Sequence, residues 1–305
     1  MMVQLARHTG PAMPRERHGS QRLNRQHHLS NDLVLLARPS LSPWHDLVNQ
    51  RPVGFDSAGT APSLTGQTTG DRAWRFDGIN DKLQIAGLSN DLWCNTDAKF
   101  SVTVEASTLT GQPNRFDNAI LAGVYGHDAS FNVSQCWAVW AGLGKITFAV
   151  YDDATLNAWA QWETTSSYTG RRTISVVYDN TPAQDSAARC RIYIDGVEVS
   201  RTYSSGGTVI SLRRNSEPLT IGNNSQNADP TDYYNYLGDI RRVLIHANAL
   251  TPAQVWQLYA AQSRQRMLRF VGSHRNFIAS EPASSSLFGR RLSIGRAGHR
   301  SLMSC

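Results

Sequence analysis

The residues best suited to chemistry in this chain are gathered in two stretches. The first is Gly222-Asn223-Asn224-Ser225-Gln226-Asn227-Ala228-Asp229-Pro230-Thr231-Asp232-Tyr233-Tyr234-Asn235-Tyr236. It sets Asn and Asp oxygens beside three tyrosines. Carboxylates and amides are hard oxygen donors, so Asn223, Asn224, Asp229 and Asp232 suit Ca²⁺. Ca²⁺ is the one cofactor this composition raises. Alternatively, Tyr233 and Tyr234 could stack on sugar rings while the amides bond sugar hydroxyls. Turn chemistry explains the same composition, with Asn and Asp holding turns and Tyr packed on a sheet. The second stretch is Tyr151-Asp152-Asp153-Ala154-Thr155-Leu156-Asn157-Ala158-Trp159-Ala160-Gln161-Trp162. Here Asp152, Trp159 and Trp162 could line a sugar-binding groove, or the two Trp could fill a core. Trp74, Trp137 and Trp140 sit in strand patterns and are expected to be core.

Other chemistries are poorly supplied. A Gly-x-Ser-x-Gly elbow, a phosphate loop and a dinucleotide fingerprint are all absent from the sequence. Of nine His, only His45, His127 and His246 lie between residues 29 and 263, too spread for a metal site. The four cysteines, Cys94, Cys136, Cys190 and Cys305, form no Cys-x-x-Cys and have no His at zinc-finger spacing. Reduced thiols are the default without a secretion signal. A Cys94–Cys136 or Cys136–Cys190 bridge stays open if the strands carrying them are neighbours.

The elements that must position these residues are strands. Leu33–Ala37, Ala73–Phe76, Lys82–Ile85, Phe100–Glu105, Ala119–Val124, Trp137–Ala141, Lys145–Tyr151, Thr173–Tyr178, Arg189–Ile194, Val197–Val199, Leu219–Ile221 and Gly238–Ile245 read as strands. Asp77-Gly78 and Asp195-Gly196 carry hairpin signals. Phe100–Glu105 alternates as a half-buried strand does. One helix is signalled, with Thr251 as cap, Pro252 at its first position and Val255, Trp256, Leu258 and Tyr259 on its apolar side. Around ten to twelve strands and one helix predict an all-β, two-sheet antiparallel sandwich. Three segments follow: a basic N-terminal arm (1–29), the sandwich (30–262) and an Arg-rich tail (263–305).

Charge follows the same division. The formal net charge is +6. Residues 1–28 hold five Arg against Glu16, and residues 264–305 hold eight against Glu281, a net +11 at the ends. Residues 29–263 hold 17 basic and 22 acidic residues, a net −5. A nucleic-acid-binding body is therefore disfavoured, and Arg264, Arg266, Arg269, Arg290 and Arg291 are the candidate anchors to an acidic partner. No apolar run is long enough for a membrane helix, and no signal peptide is visible.

Three pieces in order carry a family resemblance. They are Phe76-Asp77-Gly78-Ile79-Asn80-Asp81-Lys82-Leu83, then Ile192-Tyr193-Ile194-Asp195-Gly196-Val197, then Gly238-Asp239-Ile240-Arg241-Arg242-Val243-Leu244-Ile245 followed by Ala249-Leu250-Thr251 and Leu258-Tyr259. This order resembles the laminin-G-like branch of the concanavalin A-like lectin/glucanase superfamily over residues 30–262. The resemblance implies a jelly-roll sandwich closed by one short C-terminal helix, with extended basic termini. One departure is Arg241-Arg242, where the family often carries an acidic residue.

Glycoside hydrolases of that superfamily place catalytic carboxylates as Glu-x-Asp-x-x-Glu on one strand. The middle of this chain holds only Glu105, Glu163, Glu198 and Glu217, none followed two residues on by an acid. The expectation is therefore a binding module and not an enzyme. Chains with one such domain, a short N-terminal lead and no signal peptide are similar to virion proteins of tailed bacteriophages. There they serve as head decoration, fibre or tail-associated adhesin. That resemblance implies a virion surface protein made in the host cytoplasm. Its partners would be other virion proteins and a host cell-surface glycan, and a homo-oligomer is open. A polysaccharide-active hydrolase or lyase and a purely structural cement protein are the alternatives.

Overall fold

The computed structural model describes residues 32–261, apart from 40–44, 50, 55–60, 67–71, 89–91, 95, 108, 110–118, 128–132, 153–157, 182–185, 215–216 and 224–233. These residues fall in one compact unit, Met1–Ala260, save Ala261, which begins a second unit running to Cys305. The arm 1–29, the tail 263–305 with its five candidate anchor arginines, and Cys305 lie outside the described residues.

Sixteen strands occur among the described residues. In order they are β1 (Leu33–Ala37), β2 (Val53–Gly54), β3 (Ser63–Thr65), β4 (Ala73–Asp77), β5 (Leu83–Ile85), β6 (Lys99–Ala106), β7 (Ala119–His127) and β8 (Val133–Gly142). Then come β9 (Lys145–Tyr151), β10 (Trp159–Thr164), β11 (Arg172–Asp179), β12 (Cys190–Ile194), β13 (Val197–Glu198), β14 (Arg201–Gly206), β15 (Leu219–Ile221) and β16 (Leu237–His246). A helix α1 spans 252–261. The count exceeds the ten to twelve read from sequence. Of the four additional strands, β2, β3 and β14 are short or polar edge pieces with no hydrophobic alternation to announce them, while β10 alternates strictly and lies in the second of the two stretches singled out for chemistry.

Two eight-stranded sheets result, with every pairing antiparallel. The first runs β13-β12-β11-β6-β16-β4-β3, with β1 added against β16. The second runs β14-β10-β9-β8-β7-β15-β5-β2. The core lies between their inner faces. Phe100, Val102, Val104, Ile174, Val176, Tyr178, Val243 and Ile245 of the first sheet face Trp137, Val139, Phe148, Val150 and Trp162 of the second. Period-two alternation directs these side chains inward.

Two sequence expectations need correction. β4 and β5 do not form a hairpin, because they belong to different sheets. Asp77-Gly78 is instead a corner between layers, with Gly78 at φ +77°. Asp77 Oδ1 accepts the Ile79 N–H at 2.8 Å, and Asp81 Oδ2 accepts the Asp77 N–H at 2.9 Å. An Asp-Gly pair sets the local turn but not which sheet the next strand joins. Asp195-Gly196 does join paired strands, β12 to β13, with both residues at positive φ. Second, β6 is not half-buried: both of its faces are covered. Its polar side carries Ser101, which bonds Asn248 O and Leu250 N, and Thr103, which bonds Ser175 at 2.9 Å.

That outer face, extended by β1, is covered by the 248–250 segment and α1. Leu33, Val177, Tyr193, Leu244, Leu250, Val255 and Leu258 form a second apolar cluster there. Thr251 and Gln254 cap α1 reciprocally: Thr251 N–H donates to Gln254 Oε1 and Gln254 N–H to Thr251 Oγ1. Trp256, expected on the apolar side, is 51% exposed. No described helix is long and apolar enough to cross a membrane.

Candidate functional site

The outer face of the second sheet carries the groups suited to ligand contact. On β10, Trp162 points into the core, so Trp159, Gln161 and Glu163 point outward. Register then fixes their neighbours. Trp159 lies opposite Tyr151, Gln161 opposite Ala149 and Glu163 opposite Thr147. Ala149 lies opposite Ala138 and Thr147 opposite Trp140 on β8. Gly123, Ile120 and Tyr125 on β7 face Ala138, Trp140 and Gln135.

The centre of this face is a strip of small side chains, Ala149, Ala138 and Gly123. Gly123 admits no substituent, since a Cβ there would meet the Trp137 carbonyl oxygen at 2.8 Å. Aromatic rings flank the strip. Tyr125 meets Trp140 edge-on at 5.8 Å, Tyr151 at 5.9 Å and Tyr234 at 5.3 Å. Tyr234 lies tilted over Trp140 at 6.4 Å. Tyr125 and Trp140 are buried, while Tyr151, Tyr234 and Trp159 are half-buried. Two buried rings thus support three that reach solvent.

Polar groups complete the arrangement. Gln135 Nε2 donates to the Tyr125 hydroxyl, which in turn donates to Tyr234 Oη at 3.3 Å. Burial pushes the Tyr125 and Tyr151 hydroxyls well above their ordinary range, so both stay neutral donors and acceptors. Glu163 accepts from Lys145 Nζ at 2.6 Å. The face therefore offers aromatic rings, neutral hydroxyls, an amide and one compensated ion pair. That set can stack on a polyhydroxylated ring and bond its hydroxyls.

The structure separates the residues singled out from sequence. Tyr234 is brought to the face, where its carbonyl accepts the Ile120 N–H at 3.0 Å. Trp159 is there too, lying against Gly206. Trp162 is not: it is 0% exposed and packs on Phe148, Tyr178 and Tyr203 between the sheets. A spacing of three on a strand places two residues on opposite faces. Asp152 is buried with structural work. Its Oδ1 accepts the N–H groups of Ile210 and Ser211 at 2.8 and 3.2 Å. Asn223 is buried at the base of the 224–233 segment, where its Nδ2 donates to Asn235 Oδ1 and Tyr236 N–H donates to Gly222 O at 2.9 Å. Asn224, Asp229, Asp232 and Tyr233 lie outside the described residues. Among the described residues, no group of three or more His, Cys, Asp or Glu is placed to hold a metal ion.

Four contributors were missed: Tyr125, Gln135, Trp140 and Tyr151. Trp140, expected to be core with Trp137, is buried as expected, but the two are three apart on one strand and face opposite ways. Parity could have found Trp140. The bulge between Ile120 and Ala122 leaves Leu121 and Ala122 both facing the core, so a parity count along β7 from Ala119 fails for Tyr125.

Two antiparallel sheets packed face to face, with a closing strand and helix, define the jelly-roll class of lectin-like sandwiches. Residues 77–256 match the profile of the concanavalin A-like lectin/glucanases superfamily, with a laminin G-type profile, and the chain belongs to that superfamily. Among solved structures it is similar to the binding domain of Paraclostridial Mosquitocidal Protein 1, with 13% identity and TM-score 0.51, covering 76% of this chain and 52% of that one. It is similar to the receptor binding domain of botulinum neurotoxin D, with 13% identity and TM-score 0.52, covering 77% and 54%. It is likewise similar to the botulinum neurotoxin serotype G binding domain, with 14% identity and TM-score 0.51, covering 76% and 51%. The chain thus spans about half the length of these structures. At such identity the likeness is one of fold. No curated protein matches the chain.

Proposed function

We propose that this chain is a non-catalytic, glycan-binding module. The ligand lies across Trp159, Tyr151 and Tyr234 on the outer face of the second sheet. The observation that carries this reading is that these three half-buried rings share one face with neutral hydroxyls and the Gln135 amide, above a strip of small side chains. Binding is favoured over hydrolysis because Glu163, the acid on this face among the described residues, is paired with Lys145. Hydrolysis with retention calls for two carboxyls about 5–5.5 Å apart. A glycan array followed by calorimetry tests the reading. Tyr151→Ala and Tyr234→Ala should each weaken the best ligand at least about tenfold, or about 1.4 kcal/mol. Release of sugar products from a bound glycan would favour the enzyme instead.

The finer part of the proposal is that the module is displayed on a tailed-phage virion, with a host glycan as ligand. The partition of charge supports it: an acidic middle between basic ends suits attachment through Arg264, Arg266, Arg269, Arg290 and Arg291 to an acidic protein surface. Removing residues 264–305 should leave a folded body that no longer joins the particle. Normal incorporation of that truncated chain would contradict the anchor.

A further inference from the structure

Two cysteines meet in the core behind the ligand face. Cys94 follows Trp93 in the crossover between β5 and β6, and Cys136 sits at the bulged end of β8, beside Gln135. Their sulfurs are 3.8 Å apart, and both residues are buried and not joined by a disulfide. Cys94 Sγ also donates to Arg213 O at 3.1 Å, and Arg213 N–H donates to Tyr151 O at 2.9 Å. A disulfide has S–S of about 2.05 Å, so closing this pair takes a sulfur shift of under about 2 Å. The third described cysteine, Cys190, is wholly buried as well, and burial pushes its thiol well above the ordinary range.

We propose that Cys94 and Cys136 are a redox-responsive pair that closes to a disulfide and staples the β5–β6 crossover to the bulged end of β8 in the second sheet. The oxidant is a small-molecule disulfide of the glutathione class. One cysteine thiolate attacks it, forming a mixed disulfide and releasing one glutathione thiol. The second cysteine thiolate attacks the protein-bound sulfur and releases the other. Two protein thiols lose two electrons and two protons, and one small disulfide becomes two thiols. The closed bond ends the Cys94 thiol's donation to Arg213 O, so the backbone pairing that holds Tyr151 senses the redox state. Closure shortens the freedom of a loop of about 40 residues in the unfolded chain.

Incubating the native full-length protein with oxidised glutathione tests this. The expected result is an intact mass about 2 Da lower, a mapped Cys94–Cys136 peptide and a melting temperature about 5–10 °C above the reduced form. Cys190→Ser should keep the cross-link, while Cys94→Ser and Cys136→Ser should each abolish it. Peptide mapping of the unsubstituted chain decides the matter even if a serine variant fails to fold. Persistent free thiols, a glutathione adduct without cross-link, a bridge to Cys190 or Cys305, or a lower melting temperature on closure would overturn the proposal. None of these outcomes depends on a glycan, so they are independent of the binding reading.

Discussion

Trp159 and Trp162 stand three residues apart on β10 and serve opposite sides of one sheet. Trp159 lies over Gly206 on the outer face, while Trp162 is stacked on Phe148 at 6.0 Å inside the sandwich. Their alanine variants should therefore separate stability from binding. Trp162→Ala should cost about 3–5 kcal/mol, as loss of a fully buried aromatic does. Trp159→Ala should melt close to the unsubstituted protein and weaken glycan binding. Urea denaturation beside calorimetry reads both. Equal destabilisation by the two substitutions would refute the two-face assignment.

The loop base offers a second prediction. Gly222 has φ +86°, and a Cβ there would collide with the Phe76 ring. Gly222→Ala should destabilise by more than the roughly 1 kcal/mol of backbone strain alone, because a buried ring must also move. Asn223→Ala removes the bond between two buried side chains, Asn223 and Asn235, at about 1 kcal/mol. Thermal melting of each variant checks the order, with Gly222→Ala at least as costly.

Much of the fold was legible because alternation, Asp-Gly turns and the Thr251-x-x-Gln254 cap are local. β1, β6, β9, β11, β12 and β16 announced themselves that way. What a strand pairs with is not local, which is why Asp77-Gly78 read as a hairpin although β4 and β5 enter different sheets. The proposed ligand face was legible only in part. Trp159 and Tyr234 stood out by type, but Trp162 and Trp140 were assigned without regard to parity. Tyr125 meets Tyr234 across a sequence separation of 109, and Gln135 joins them only through the Tyr125 hydroxyl, beside the bulge in β8. Asp152 looked like a ligand because a carboxylate's type does not reveal that backbone N–H groups already occupy its oxygen.

Stability should fall steeply at alkaline pH. Burial raises Tyr125, Tyr151, Tyr178 and Tyr236 above the ordinary value of 10.0. In the unfolded chain they ionise near that ordinary value, so above it the unfolded state holds fewer protons and stability drops as pH rises. Below it all four are protonated in both states and contribute no slope. Four such groups give a limiting slope of about 5 kcal/mol per pH unit. Melting temperature measured from pH 7 to pH 11 should be flat with respect to tyrosine until about pH 9.5 and then fall. A profile still flat at pH 11 would contradict this burial.

Ion pairs on the first sheet should differ in worth. Glu105 takes Arg171 on one oxygen and Arg242 on the other, and its side chain is 6% exposed. Glu105→Gln should cost about 2–4 kcal/mol, since Arg242, at 12% side-chain exposure, loses its counter-charge largely out of water while Arg171, at 30%, stays partly hydrated. Arg75→Ala should cost about 1 kcal/mol or less: its pair with Asp239 spans 2.8 Å, but Arg75 is 59% exposed. Guanidinium chloride would mask such charges, so urea is the denaturant of choice.

The central claim is that the outer face of the second sheet holds a sugar. The most direct measurement is titration of a glycan selected on an array into the protein, following chemical-shift changes of labelled Trp and Tyr side chains. The account predicts saturable shifts at Trp159, Tyr151 and Tyr234, none at Trp162 or Tyr178, and loss of binding in the Tyr151→Ala, Tyr234→Ala double variant. Saturable binding that leaves Trp159, Tyr151 and Tyr234 unshifted, or that survives the double substitution, would contradict it.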